Sequence, residues 1–267
     1  MVKRQRPSSY FQDSDMCMHS LTDFVMSNQI KHDIKFENIR FYFDDNSFLD
    51  NDCDFYMEFF DRTKILKSKD TKLSDGRGKT LIFKHHGRDL VLRHYKRGGI
   101  FGKIIEDHFF KFECYAHRAR DEFNLLLQMR QLGLKVPKPI IAREVDYGLY
   151  LKQDIVIEAL NGFKDLSKVI AQRPLTDFEY KLIGQTLKSF FDNNVLHTDL
   201  NIRNILLFEN EVYLIDFDKC FIKSIDFTCK QKMIDRLQRS FKKEKLKNDK
   251  VYFSEYGFEI LKQYALV

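Results

Sequence analysis

Apolar residues along this chain fall into periodic order only from about residue 65 onward. The stretch before that point is acidic and rich in Phe and Tyr, with scattered apolar positions, and predicts one or two elements packed on the body of the protein. Leu81-Ile82-Phe83 and Leu90-Val91-Leu92 read as strands around a turn at His86-Gly87-Arg88. Ala116, Ala119, Phe123, Leu126 and Leu127 stand at helical spacing, and Gly133 closes that helix. Pro137 and Pro139 then break the chain before strands near 140–144 and 149–158, which meet at Asp146-Tyr147-Gly148. Residues 161–175 read as a linker with a short helix. Thr176 opens a longer helix with Glu179 as its capping-box partner; its expected apolar face is Phe178, Leu182, Ile183, Leu187, Phe190 and Phe191. A polar loop, an apolar hairpin and a basic helix follow. The class is therefore α+β, with a β-rich first part and a mainly helical second part.

Composition narrows the setting. With 43% hydrophobic and 31% charged residues over 267 positions, the chain reads as a soluble globular protein with ample length for a core. It has no run of eighteen apolar residues, and its first residues carry bases without an apolar signal core. Cys17, Cys53, Cys114, Cys220 and Cys229 are odd in number and lack metal-site spacing, so reduced thiols in a cytoplasmic setting are expected. Charge is unevenly spread: residues 11–61 hold twelve acids and three bases, residues 219–250 eleven bases and four acids. The basic end would face phosphates or an anionic membrane surface. It lacks interleaved aromatic platforms, which argues against nucleic acid as a partner.

The candidate chemistry lies in HTDLNIRNILLFENEVYLIDFD at 197–218. Phosphoryl transfer from ATP needs a carboxylate beside the attacking hydroxyl and oxygen ligands for Mg²⁺. Asp199 can supply the first as catalytic residue; Asn204 and Asp216 can supply the second. An HxDxxxxN loop, a hairpin and then Asp-Phe is the order of a kinase catalytic loop and its metal-binding pair. With the element order above, it implies a two-lobed protein-kinase-like fold: an N-terminal extension over 1–64, a small β-rich nucleotide-binding lobe over 65–160 and a shortened, mainly helical catalytic lobe over 161–267. His197 reads as structural support for the loop.

Other positions are less specific. Gly76 and Gly78 could let backbone N–H groups approach ATP phosphates, or form an ordinary turn. The phosphate-anchoring cation of the third kinase strand aligns with Arg93, with Lys84 and Lys96 as competitors. Its carboxylate partner would be Glu122, whose alternative is a solvent-facing acid. Protein Ser/Thr kinases usually place a Lys two residues after the catalytic Asp; here that position is Asn201. Arg203 could compensate at phosphate oxygens, or be a solvated surface residue. Only 51 residues follow Asp216, which favours a small-molecule or lipid-linked acceptor over a protein.

Four stretches, GRGKTLIFKHHGRDLVLRHYKRGGIFGK at 76–103, GLKVPKPIIAR at 133–143, HTDLNIRNILL at 197–207 and YLIDFDKC at 213–220, resemble the bacterial lipopolysaccharide-core kinases, Kdo (3-deoxy-D-manno-octulosonic acid) kinases among them. RLQRSFKKE at 236–244 is similar to that family's terminal helix, so the likeness spans roughly residues 70–245. The resemblance implies transfer of the ATP γ-phosphate to the 4-hydroxyl of Kdo on a lipid A precursor, Kdo–lipid IV-A, by a peripheral protein on the cytoplasmic side of the inner membrane. Asp199 would take the active-site role, Asn204 and Asp216 the Mg²⁺ roles. Asp218 stands where protein kinases have the Gly of DFG. Lys96 and Arg97, with the glycine pair after them, would shape the acceptor or phosphate side of the cleft; the alternative is a basic turn. In the basic segment 230–247, Met233, Leu237 and Phe241 read as a stripe packed on the lobe, and the charge as a membrane-facing feature. Competing readings are a different phosphotransferase, of the aminoglycoside or Rio type, and a pseudokinase acting as a binding module.

Overall fold

Hydrogen-bonded strands organise the first half of the chain, as seen in a computed structural model that describes residues 30–49, 51–68, 71–73, 80–95, 109–110 and 116–267. In order come β1 (His32–Phe36), β2 (Ile39–Phe43), α1 (Cys53–Glu58), α2 (Arg62–Lys67), β3 (Lys72–Leu73), β4 (Leu81–His85), β5 (Arg88–His94), β6 (Phe109–Phe110), α3 (Arg118–Gln131), β7 (Pro139–Asp146) and β8 (Tyr150–Glu158). Among the described residues they give one antiparallel sheet ordered β1-β2-β7-β8-β5-β4-β3, with β6 added to β8. The sheet takes strands from both sides of the boundary expected at residues 64–65, because β2 pairs with β7.

Both faces of this sheet are covered. Tyr42, Ile155 and Ile157 face α3 and the helical half, while Phe41, Phe43, Leu81, Phe83, Leu90, Leu92 and Val156 face a layer built on Tyr56, Phe59 and Phe60. This explains why the acidic segment showed no period: three consecutive residues of β2 are buried, and the two helices over it are six residues each. Asp52 and Asp61 cap those helices, accepting from the amides of Phe55 and Lys64. Across the sheet, Asp154 of β8 accepts from Arg143 at 2.5 Å and contacts His94 Nδ1 at 2.8 Å. Burial pushes its carboxyl up, but these two partners reverse the effect and hold it below the ordinary Asp range.

The second half holds β9 (Lys164–Asp165), α4 (Leu166–Gln172), α5 (Asp177–Asp192), β10 (Val195–Leu196), β11 (Ile205–Phe208), β12 (Glu211–Leu214), β13 (Phe221–Ile222), α6 (Phe227–Lys247) and α7 (Glu255–Leu266). Thr176 and Glu179 form the capping box of α5. One expectation fails here: Phe178 is 56% exposed and Tyr180 is buried in its stead. At 3.6 residues per turn, Phe178 lies about 180° from Leu187, the centre of the buried face. Met233, Leu237 and Phe241 of α6 are buried in the continuous core, as a packed stripe requires.

Two glycines let α5 and α7 cross closely. A Cβ on Gly184 would lie 2.4 Å from the Leu261 carbonyl oxygen, and one on Gly257 would lie 2.2 Å from the Tyr180 ring. Helix α5 leads through the short strand β10 into the polar loop at 197–204, so this crossing helps to place the start of the loop. Gly184→Ala gains up to about 1 kcal/mol in helix propensity but forces backbone apart, at a cost of about 1–3 kcal/mol. The expected outcome is a net loss, read as a lowered midpoint in thermal unfolding.

Candidate active site

Asp199, Asn204 and Asp216 are brought to one place by a loop and a hairpin that close on each other. Asn204 Nδ2 donates to the Asp199 carbonyl at 2.9 Å, and the Asn204 carbonyl accepts from the Ile215 amide at 3.0 Å. The same residue thus holds the loop on one side and the segment entering Asp216 on the other. Its amide nitrogen is committed inward, which leaves its side-chain oxygen as the group available to a cation. Asp216 has φ of +67°, a left-handed conformation that costs a non-glycine residue free energy and recurs at functional sites.

His197 supports the loop from below. Its ring is buried; Nε2 donates to the Ile215 carbonyl at 3.2 Å and Nδ1 accepts from the Asp199 amide at 3.3 Å. This pair of contacts assigns the proton to Nε2. Burial pushes the imidazole below its ordinary value, outweighing the Ile215 carbonyl and the charges of Asp216 and Asp199. The ring also packs on Phe217, whose own ring stacks on Phe190 of α5.

Arg93 and Glu122 meet as expected. Arg93 Nη1 donates to Glu122 Oε1 at 2.7 Å, and Nη2 donates to Asp216 Oδ1. Burial alone would lower the guanidinium, yet Glu122 and Asp216 raise it above its already high value. Glu122 also accepts from the Tyr95 hydroxyl and from the Phe217 amide, so its buried carboxylate is surrounded by donors. Lys84 points elsewhere, 3.9 Å from Asp89 with its side chain half exposed. Gly76, Gly78, Lys96 and Arg97 lie outside the described residues.

Three contacts were not anticipated. Arg118 Nε of α3 donates to Asp218 Oδ1 at 2.6 Å, which ties the residue replacing the glycine of DFG to the helix that carries Glu122. Arg118 and Glu122 are four apart, a spacing that could have flagged a shared helix face. Arg236 of α6 donates to Asp199 Oδ1 through Nε at 3.2 Å and Nη2 at 2.5 Å. Arg203, a candidate for phosphate oxygens or a solvated surface residue, has a side chain 60% exposed and reaches Glu244 of α6 at 3.6 Å. Asp199 and Arg236 are separated by 37 residues, so no local pattern links them.

The protonation of His197 gives a prediction with a definite sign. A base held below its unfolded value stabilises the fold fully above about pH 6.5 and loses that contribution as pH falls below it. Unfolding free energy in denaturant should therefore drop as pH falls below about 6.5. In His197→Phe that pH dependence should flatten, while overall stability falls by about 1–3 kcal/mol because the Ile215 carbonyl loses its donor.

Comparison with known proteins agrees with this geometry. Residues 64–256 match the model of the lipopolysaccharide kinase (Kdo/WaaP) family. A 3-deoxy-D-manno-octulosonic acid kinase of Vibrio cholerae serotype O1 is 39% identical over 190 residues, covering 71% of this chain and 80% of the relative. The enzyme of the same name from Photobacterium profundum is 36% identical over 234 residues, covering 85% and 95%. Among solved structures, WaaP in complex with acyl carrier protein superposes with a TM-score of 0.51 at 13% identity, covering 78% of this chain and 81% of that one; at that identity it speaks to the fold alone. Strands, linking helix, catalytic-type loop and relatives together make this chain a kinase that belongs to the lipopolysaccharide kinase (Kdo/WaaP) family.

Proposed function

We propose that the protein transfers the γ-phosphoryl group of ATP to the 4-hydroxyl of Kdo on Kdo–lipid IV-A, at the cytoplasmic face of the inner membrane. The observation that carries this reading is the loop at 197–204 held through Asn204 to the amide of Ile215, the residue before Asp216, in a chain 36% identical to a named Kdo kinase over most of its length. Asp199 orients the acceptor hydroxyl and takes its proton as the acceptor oxygen bonds to the γ-phosphorus; the bond from that phosphorus to the β-bridging oxygen breaks, leaving ADP and a phosphate monoester. Asn204 and Asp216 offer a neutral and an anionic oxygen, a donor set that fits Mg²⁺. Bound there, Mg²⁺ would screen charge on the nucleotide phosphates. Arg93 presents a rigid guanidinium to phosphate oxygens, and Glu122 fixes its direction.

The lipid-linked acceptor gives the basic helix a purpose. Among the described residues no helix is long and apolar enough to cross a membrane. At the end of α6, Leu246 is 86% exposed among Lys242, Lys243, Lys245 and Lys247, an arrangement suited to an anionic lipid surface. Lys242 and Lys247 are partnered by Glu255 and Glu244, which tempers the attraction. Binding to vesicles containing phosphatidylglycerol should accordingly be weak and lost at high salt, at about 1 kcal/mol per basic residue near the surface. Salt-insensitive binding, or none at low salt, would contradict the membrane role.

The direct test is radiolabel transfer from γ-labelled ATP to Kdo–lipid IV-A. Wild type should label the lipid, and Asp199→Ala should lose about 10³-fold or more of the rate, given the sizes usual for general-base and positioning losses combined. A wild type that binds Mg-ATP yet labels no Kdo lipid would reject this acceptor and direct the search to other hydroxyl compounds.

A further inference from the structure

Helix α6 does more than pack its apolar stripe. Four of its side chains, at positions 233, 236, 240 and 244, point at the catalytic loop in succession. Met233 Sδ accepts from the His197 amide at 3.3 Å, Arg236 holds Asp199, Ser240 Oγ accepts from the Ile202 amide at 3.1 Å, and Glu244 holds Arg203. Spacings of three and four place these on one helix face, adjacent to the buried stripe of Met233, Leu237 and Phe241. The basic helix is thus a brace running along the loop, and its only cation among the described contacts to the loop is Arg236.

The chemistry of the site asks for such a cation. The transferring phosphoryl group carries negative charge on three oxygens, and the Asp199 carboxylate beside it adds charge of the same sign. Asn201, two residues after Asp199, brings none. Arg203 is turned to Glu244. Arg236 converges with two N–H groups on one oxygen, Oδ1, so this guanidinium does not use the second carboxylate oxygen, the one needed by an acceptor hydroxyl. Both groups are also accessible, the Arg236 side chain 42% and that of Asp199 52% exposed, so a substrate can reach them.

We propose that Arg236 is a catalytic residue of the phosphoryl transfer: it contacts the γ-phosphoryl oxygens from α6 and offsets their charge beside Asp199, the part a loop residue plays in protein kinases. This rests on the kinase reading above, though not on the identity of the acceptor. A merely structural pair would behave differently, since an exposed ion pair of this kind adds little to stability.

Two measurements test it on the full-length protein, with Arg239→Gln as a control of equal charge change on the same helix, where Arg239 is exposed. In steady-state transfer to Kdo–lipid IV-A in detergent, Arg236→Gln should lower kcat about 10²-fold or more, the size expected for losing one preorganised donor to transition-state charge. Its KM for ATP should stay within about threefold, Arg236→Lys should recover part of the rate, and Arg239→Gln should stay within about twofold of wild type. The second measurement needs no acceptor: binding of Mg-ADP with and without aluminium fluoride, a mimic of the transferring phosphoryl. Wild type should tighten on ADP when fluoride is added; Arg236→Gln should bind Mg-ADP normally and fail to tighten. If Arg236→Gln keeps wild-type kcat, or tightens as wild type does, the proposal is wrong whatever the acceptor. If wild type labels no Kdo lipid but its tightening depends on Arg236, the acceptor assignment falls and the role of Arg236 stands.

Discussion

The contact on which the site depends is the Arg93 guanidinium held between Glu122 and Asp216. Its three members come from a sheet strand, the helix packed on that sheet, and the segment after the hairpin. A charge removed from water costs several kcal/mol unless it is well paired, so the two carboxylates and the guanidinium hold one another in register. Glu122 is the least exposed of the three, and it also draws in the Tyr95 hydroxyl and the Phe217 amide. Through it the β-rich and helical halves share a single electrostatic centre. Arg in place of Lys suits this task, because a planar fork can bind two carboxylates at once where an ammonium is a point charge.

Around this centre, rigidity is supplied from beneath and from the side. His197, neutral and buried, ties the loop to the Ile215 carbonyl; Asn204 joins the Asp199 carbonyl to the Ile215 amide; Phe217 packs between His197 and Phe190. Helix α6 braces the outer edge. Helix α5, which precedes the loop, packs closely on α7 at Gly184 and Gly257. Apolar packing and backbone hydrogen bonds thus place the loop, while Arg93 and Arg236 each take one oxygen, Oδ1, of Asp216 and of Asp199 respectively.

Much of the fold was legible because it follows from local rules. The α5 capping box, the turn at Gly133 and the hairpin at 205–214 each depend on residues a few positions apart. Phe178 is the exception in α5: it is apolar, but its phase against Leu187 turns it to the exposed face. The acidic segment shows no period because β2 is buried on both faces, Tyr42 against the core that includes α3 and Phe41 and Phe43 against the layer of Tyr56, Phe59 and Phe60.

The sequence by itself determined the class of chemistry. Asp199, Asn204 and Asp216 sit on one loop and one hairpin, where chain connectivity nearly forces them together, and the matching strings carried the family with them. Only the tertiary structure decided which cation faces which acid around the site. Arg118 faces Asp218, Arg236 rather than Arg203 faces Asp199, and Arg93 rather than Lys84 faces Glu122. A long basic side chain can pair with any acid its helix or strand brings within reach. The choice is therefore made by the packing of α3, α5 and α6, which no spacing along the chain encodes.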